Sequence, residues 1–266
     1  MSNEVQVPNS SQMALPSSVM ERLAAQAKEA AAKERPAVGW FSAKSGILAY
    51  GGTPVPGNKM EVVILAAAYR NVWYAGAFDD NNPAAPNCFA LALDDEGMAP
   101  HENTQEPVHI NCKDCPKSQW NSDPRPNSRG KACKQGRRLV MIPGSVIDKG
   151  PDEILRCEFA KMDLPVTSVK NYSAFVNTLA ASAGVPPYAA ITEIEVHRDL
   201  KTQLKITFRA MRVVPNEEAL NAIIKRMETA NQIALEPYEE PAVLEKDPDP
   251  EAPEVAAKAP AKTKKF

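Results

Sequence analysis

The sequence predicts an α+β protein built mainly of strands. Residues 38 to 80 alternate short β-prone runs with Gly, Pro and Asn breaks, which is typical of strands joined by turns. A hairpin is predicted nearer the C-terminus, and two segments carry the apolar spacing of helices. The predicted organisation is an N-terminal arm or helix over 1–37, a folded domain over 38–236 and a disordered acidic tail over 237–266.

The N-terminal arm contains one predicted helix. Ser18 and Glu21 have the spacing of a capping box, and an alanine-rich run follows them. Because alanine side chains bury little surface, the sequence leaves two alternatives open for this helix: a docked element or a mobile arm.

Alternating apolar residues predict the later strands. The run RRLVMIP is expected to form a strand, and Leu155, Cys157 and Phe159 alternate as in another strand, which makes Cys157 a buried thiol. Two alternating runs flank the polar sequence RDLKT, which is typical of an antiparallel hairpin with its turn at those residues.

Two helices are predicted in the second half of the chain. The first is expected to start at a cap on Thr167 or Ser168 and to stop at Gly184. The second falls in NEEALNAIIKRMETANQIAL. Its predicted buried face consists of Leu220, Ile223, Ile224 and Met227.

Composition and charge are ordinary for a globular protein, with 44% hydrophobic and 24% charged residues and a formal net charge of -2. The chain has no run of eighteen apolar residues and its first residues lack a secretory pattern, so we expect a cytoplasmic protein with no membrane partner. Thiols stay reduced in that compartment, so clustered cysteines there favour metal binding over disulfides.

Residues 81–138 have few apolar side chains and could not pack without a cross-link. Cys112 and Cys115 have the spacing at which one tight turn holds two zinc ligands, and Cys133 and Cys88 lie at the ends of the same segment. We therefore predict one structural zinc ion held by these four cysteines, whose binding energy would order the segment.

The fourth zinc ligand has alternatives. His101 and His109 both lie within reach along the chain, and either could replace Cys88. A catalytic zinc would keep one open position and need a nearby acid as general base, and none stands out beside the cysteines.

Cations are concentrated at the end of this segment, between Lys113 and Arg138, where eight Lys and Arg residues are accompanied by only two acids, Asp114 and Asp123. Some of them could compensate a zinc–thiolate centre, which is negatively charged. The others, with Trp120 among them, predict a surface for single-stranded nucleic acid, where cations meet phosphates and rings stack on bases. The candidate DNA-binding residues are Tyr69, Arg70, Trp73, Tyr74, Lys113, Lys117, Trp120, Arg125, Arg129, Lys131, Lys134, Arg137 and Arg138.

Several stretches together resemble a bacteriophage family: FSAKSGILAYGGTPVPG, VVILAAAYRNVWYAGAFD, PNCFAL, CKDCP, RGKACKQGRRL and LPVTSVKNYSAFVNTLA. Over residues 38 to 215 the chain is similar to the zinc-containing single-stranded DNA-binding proteins of phage replication. The resemblance implies an OB-like antiparallel barrel interrupted by a zinc-bearing insertion, with Cys88, Cys112, Cys115 and Cys133 as ligands. It also implies host-cytoplasmic action in DNA replication or recombination.

The acidic tail suggests protein partners. It carries eight acids between Glu236 and Glu254 against Lys246 alone, so it could compete for a basic groove or recruit replication and recombination proteins. A solubilising end is the alternative. The last residues, KTKKF, keep the terminal phenylalanine common in the resembled family but precede it with lysines.

Two other functions are compatible with the same residues. A zinc-dependent nuclease or other nucleic-acid-processing enzyme would need a carboxylate cluster such as Asp94, Asp95 and Glu96, which fits a turn equally well. An adaptor or virion component would use the zinc segment to dock proteins. No phosphate-binding glycine loop, nucleophile elbow or HExxH motif is present, so we predict a non-enzymatic protein with no catalytic residue.

Overall fold

A computed structural model describes residues 38–44, 46–76, 85–200 and 202–238, together with the single positions Val19, Arg22, Leu23 and Gln26. These four positions are helical and exposed. The rest of the predicted N-terminal arm and the predicted acidic tail after Tyr238 lie outside the described residues.

From residue 38 onward, the described residues form nine strands and three α-helices, which confirms the mainly β, α+β class. The strands are β1 (Val38–Lys44), β2 (Ile47–Tyr50), β3 (Thr53–Pro54), β4 (Lys59–Trp73), β5 (Cys88–Ala92), β6 (Lys134–Pro143), β7 (Phe159–Leu164), β8 (Ala190–Asp199) and β9 (Gln203–Val213). The helices are α1 (Pro151–Arg156), α2 (Val166–Ala183) and α3 (Glu217–Leu235). None of the helices in the described ranges is long and apolar enough to cross a bilayer.

All nine strands belong to one sheet, in the order β3-β2-β1-β7-β6-β4-β8-β9, with β5 also paired to β4. The sheet is strongly curled into a half-barrel. The strand pairs are antiparallel except β1 with β7, which is parallel. β4 spans 15 residues and pairs with β5, β6 and β8, so its register fixes the middle of the sheet.

The inner face of the curled sheet holds one hydrophobic core. Leu48 of β2 packs in the same cluster as Val196 of β8 and Ile206 of β9, although these strands lie toward opposite ends of the sheet order. Side chains of α2, including Tyr172 and Phe175, complete this cluster. The curl thus brings distant strands together, and α2 covers the interior.

A second core lies on the other face of the same strands. Val63 and Leu65 of β4 point into it, because successive side chains of a strand face opposite sides, while Val62 and Ile64 point into the inner core. Ile154 of α1 and the alanine-rich face of α3 pack against this outer face.

The predicted hairpin is confirmed and the predicted strand around Cys157 is wrong. β8 and β9 pair through residues 190–213, and their turn follows Asp199. Leu155, however, lies in α1. Pro151 is the first residue of this helix, where a backbone N–H would have no partner within the helix, so proline is favourable there. Three alternating residues are too few to predict a strand reliably, because Gly150 and Pro151 just before them favour the start of a helix.

α3 is confirmed as a helix, but its buried face differs from the prediction. Ile224 is half exposed. The buried residues are Ala219, Ala222, Ile223, Arg226, Ala230, Ile233 and Ala234. Of the predicted face, Ile223 is fully buried and Leu220 packs against the core, whereas Ile224 points outward. Alanines supply much of the rest of the buried face, and their small side chains let the helix approach the sheet closely.

α2 is confirmed with a different cap. The helix begins at Val166 after Pro165, without a side-chain cap, and ends at Gly184 in the left-handed conformation. Ser168, one of the two predicted caps, is fully buried and its Oγ accepts a hydrogen bond from the Ile206 backbone N–H at 2.9 Å. The Asn171 side chain donates to the Ile206 carbonyl at 2.8 Å, so α2 is tied to β9 at two points.

Replacing Ser168 by Ala should lower the free energy of unfolding by about 1–3 kcal/mol, because the Ile206 N–H loses its buried acceptor. Ser173→Ala, at an exposed position of the same helix, should stay within about 0.5 kcal/mol of the parent. Urea unfolding followed by circular dichroism measures both. Equal midpoints for the two variants would show that this bond does not hold α2.

Candidate metal centre and binding groove

Residues 93–133, between β5 and β6, form an irregular segment, which has almost no regular secondary structure apart from one short 3-10 turn at Pro116–Ser118. Backbone hydrogen bonds hold the segment at its cysteines. The Cys112 N–H donates to the Met98 carbonyl at 2.9 Å, and the Cys133 N–H donates to the Lys117 carbonyl at 2.8 Å. The cysteine backbones are therefore placed by contacts within the segment.

Cys88, Cys112, Cys115 and Cys133 line one small cavity of about 20 Å³. Such a space holds about one water molecule or one ion. Trp73, Phe89, Pro100 and Val108 contribute apolar side chains to its lining. The structure thus brings together the four cysteines that the sequence predicted as ligands, from β5, the irregular segment and the residue before β6.

The thiols around this cavity affect one another. Burial raises the pKa of the Cys133 thiol to about 12, a hydrogen bond from Ser118 lowers it, and the other three sulfurs raise it. Burial also raises the pKa of Cys112 and of Cys88, with contributions from neighbouring cysteines in both cases. Two buried and two half-buried thiols around one cavity are a donor set that a divalent cation would stabilise, because the cation compensates the thiolate charges.

Two polar side chains reach the same sulfurs. Ser118 Oγ is buried without a conventional partner in the described part of the chain, and it lies against the Cys133 thiol. Asn71 Nδ2 donates to Met98 Sδ at 3.4 Å, and the same amide lowers the pKa of the Cys112 thiol, against the larger effect of burial. Donors of this kind stabilise thiolates, as expected around a metal. The donor chemistry around the cavity therefore suits a divalent cation bound by four thiolates.

The sulfurs surround the cavity without forming a closed ligand set, because within the described ranges no three His, Cys, Asp or Glu side chains have metal-binding geometry. Of the two histidine alternatives, His109 lines the cavity and His101 does not. The His101 ring stacks on Phe89 at 5.0 Å between centroids. Cys157 lies elsewhere, with Arg226 Nη1 at 2.9 Å from its sulfur.

A large open groove, of about 1290 Å³, adjoins the cysteine cavity. It exceeds the usual size of a small-molecule pocket, roughly 300–1,000 Å³. Three parts of the chain line it: β4 and β6, the irregular segment, and the first turn of α2. Seven predicted DNA-binding residues line this groove: Tyr69, Lys113, Trp120, Arg125, Lys131, Lys134 and Arg137.

Tyr69 and Arg137 line the groove as a cross-strand pair. Their Cα positions are directly opposite in the β4–β6 register, and the guanidinium carbon of Arg137 lies 3.3 Å from the centroid of the Tyr69 ring. Such a contact stabilises the pair and presents a flat, positively charged surface.

Trp120 and its neighbours form the side of the groove that the irregular segment supplies. The Trp120 side chain is 72% exposed, and Lys131 Nζ lies 5.3 Å from its ring centroid. Asp123 binds Lys134 at 2.9 Å and Arg125 at 2.6 Å. The bonds from Arg125 and Lys134 hold the pKa of Asp123 well below its usual range, so this carboxylate stays ionised and fixes the two cations.

Two of the predicted DNA-binding residues, Arg70 and Arg138, do not line the groove. Both pair with Asp163 of β7, at 2.9 Å and 3.0 Å, and Arg138 is buried. Tyr238, after α3, contacts both guanidinium groups. Alternation along a strand is the reason, since Arg70 and Arg138 point to the face opposite that of Tyr69 and Arg137.

The remaining predicted residues are also outside the groove. Lys117 Nζ lies 5.1 Å from the Trp73 ring, and both residues line the cysteine cavity. Tyr74 is half-buried near Arg70 and Asp163, and burial raises its pKa. Arg129 is exposed, away from the groove lining.

Sequence reasoning missed the contribution of α2 to the groove. Val166, Thr167, Val169 and Lys170 line it, as do Gln135 and Asn111. No local signal separates Lys170 from any other exposed helical lysine, because its proximity to the groove comes from the docking of α2 on β9.

Two of the three acids considered as a carboxylate cluster also reach the groove. Asp95 and Glu96 line it, whereas Asp94 Oδ1 accepts a hydrogen bond from the Glu96 N–H at 3.0 Å, as in a turn. Asp94 therefore has the structural role that the sequence left open.

Comparisons with protein-family models, with curated proteins and with solved structures find no match for this chain. The residues and geometry of the cavity and groove are therefore the basis for a function.

In metal-free protein, Cys133 should react with iodoacetamide at pH 8 more slowly than the less buried Cys88. The thiolate is the nucleophile, and a pKa of about 12 leaves Cys133 almost fully protonated at that pH, so its rate should keep rising with pH above 9. Mass spectrometry of native, chelator-treated protein resolves the sites, with urea-unfolded protein as the control. Equal rates for Cys133 and Cys88 in the native protein would contradict this.

Proposed function

We propose that the protein binds single-stranded DNA without sequence specificity and without catalysis, as a coating protein in phage DNA replication or recombination. The observation that carries the proposal is the groove, in which Tyr69 with Arg137 and Trp120 with Lys131 each place a ring beside a cation. A single-stranded polynucleotide uses both kinds of group, because its phosphates bind cations and its bases stack on aromatic rings.

The chemistry of the groove favours a single strand over a duplex. In a duplex the base faces are stacked within the helix, whereas in a single strand they are free to meet Trp120, whose ring is largely exposed. Six cations and three acids line the groove, so its charge suits a polyanion.

We also infer that the curled sheet is an OB-like barrel, as the resemblance to phage proteins implies. A strongly curled, mainly antiparallel half-barrel with α2 over its interior supports this inference. OB-folds commonly bind oligonucleotides on the barrel strands, and here Tyr69 and Arg137 lie on two of those strands. Action in the host cytoplasm follows from the same proposal.

A single structural zinc ion is the proposed cofactor. Cys88, Cys112, Cys115 and Cys133 would hold it, and Ser118 and Asn71 would donate hydrogen bonds to its thiolates. Bound zinc would cross-link β5, the irregular segment and the start of β6, and so fix the segment that carries Trp120.

Cys115→Ser should remove stoichiometric zinc, whereas Cys157→Ser should keep one zinc ion per chain. Cys115 lines the cavity and Cys157 is remote from it, so the second variant controls for loss of a thiol. Elemental analysis of tag-free protein is the measurement. Absence of zinc from the parent protein, or its retention by Cys115→Ser, would overturn the metal proposal.

Trp120→Ala should raise the Kd for oligothymidylate by about five- to 150-fold, since stacking on one base contributes roughly 1–3 kcal/mol. Trp40→Ala is the matched control, because Trp40 is 40% exposed but lies outside the groove. Fluorescence anisotropy with labelled oligonucleotide measures both variants. Binding that does not weaken with salt, or equal effects of the two variants, would contradict the proposed interface.

A nuclease is the second candidate, because Asp95 and Glu96 line the same groove. It predicts cleavage of the labelled strand when Mg²⁺ or Mn²⁺ is added, and loss of cleavage in Asp95→Ala. Intact DNA in these reactions supports the binding protein. The adaptor alternative instead predicts negligible DNA affinity with a protein partner that co-purifies.

A further inference from the structure

The first turn of α2 lines the groove beside β4, β6 and the irregular segment, and no sequence pattern assigned it a function. Val166, Thr167, Val169 and Lys170 are the residues concerned. We propose that this turn is a second contact surface for single-stranded DNA, with Lys170 on a phosphate and Val166 against sugars or bases. The inference rests on the proposed function.

α2 is held rigidly enough to serve as a preformed surface. Ser168 is buried within the same turn and accepts a bond from the Ile206 N–H, and Asn171 donates to the Ile206 carbonyl. Tyr172 and Phe175 then anchor the following turn in the inner core. DNA bound here would therefore gain contacts without first having to order the helix.

Lys170 carries an uncompensated charge. It is exposed, it is the one charged residue in the sequence of α2, and it makes no salt bridge within the described ranges. By contrast, Arg125 and Lys134 share the carboxylate of Asp123. An unpaired ammonium group in a groove is available for a phosphate, which would release counterions from the DNA on binding.

Val166 gives the turn an apolar contact. Its side chain is 48% exposed although it lines a groove rich in cations. Trp120, from the irregular segment, is the other large apolar side chain that is exposed in this groove. A DNA strand that lies in the groove can thus contact apolar side chains from α2 and from the irregular segment. Its phosphates can contact cations from the same two parts of the chain.

The test compares Lys170→Ala with Lys225→Ala, which removes an exposed lysine of α3 outside the groove. Anisotropy titrations with labelled oligothymidylate at several salt concentrations give Kd and its salt dependence. Lys170→Ala should weaken binding and reduce the slope of log K against log salt by about 0.7, the value for one phosphate contact on a single strand. Lys225→Ala should leave both unchanged.

Val166→Thr separates the apolar contact from the charge. This nearly isosteric change should weaken binding several-fold and leave the salt slope as in the parent, because no cation is lost. If the parent binds DNA and Lys170→Ala keeps its affinity and slope, the α2 surface is overturned while the proposed function stands. If the parent itself does not bind, the proposed function fails.

Discussion

The pairing of β4 with β6 is the constraint on which the cavity, the groove and much of the core depend. Tyr69 lies opposite Arg137, and Ala68 lies opposite Arg138. Because successive side chains face opposite sides, this register sends Tyr69 and Arg137 to the groove and Arg138 to Asp163, its cross-strand partner on β7. Gly136 belongs to the same arrangement, since a Cβ there would lie 2.6 Å from the Leu164 carbonyl oxygen. A slip of one residue would exchange the buried and the open cations.

The irregular segment depends on that register in turn. β5 pairs with the end of β4 and carries Cys88, while Cys133 directly precedes β6, so the paired strands bring the two ends of the segment together. Inside it, the turn from Cys112 to Ser118 meets both ends at the cavity. The segment has little apolar surface to bury, and a bound cation is the proposed source of its order. The cysteine cavity and the groove are therefore adjacent, with Cys112 and Cys133 lining both spaces.

The groove combines two ways of holding a cation. Arg125 and Lys134 are fixed by Asp123, whereas Lys170 has no ion pair within the described residues. Fixed cations keep the surface in shape, and an unpaired one is free to bind a phosphate, so the two kinds have different parts in the proposed interface. On the other face, Asp163 binds Arg70, Arg138 and Tyr238, so the two guanidinium groups share one carboxylate within the fold.

The amino-acid pattern was sufficient to predict the mainly β class, α2, α3 and the β8–β9 hairpin, because periodicity is a local property. It also singled out the four cysteines that line one cavity, because they are concentrated in one apolar-poor stretch. It did not distinguish Arg137 from Arg138 or Tyr69 from Arg70, since adjacent residues differ only in the face that the sheet gives them. It also placed Ile224 on the buried face of α3, where it does not belong, and missed Lys170. Those outcomes were decided by the tertiary structure alone, because strand register and helix docking depend on residues far apart in the chain, such as Ser168 with Ile206.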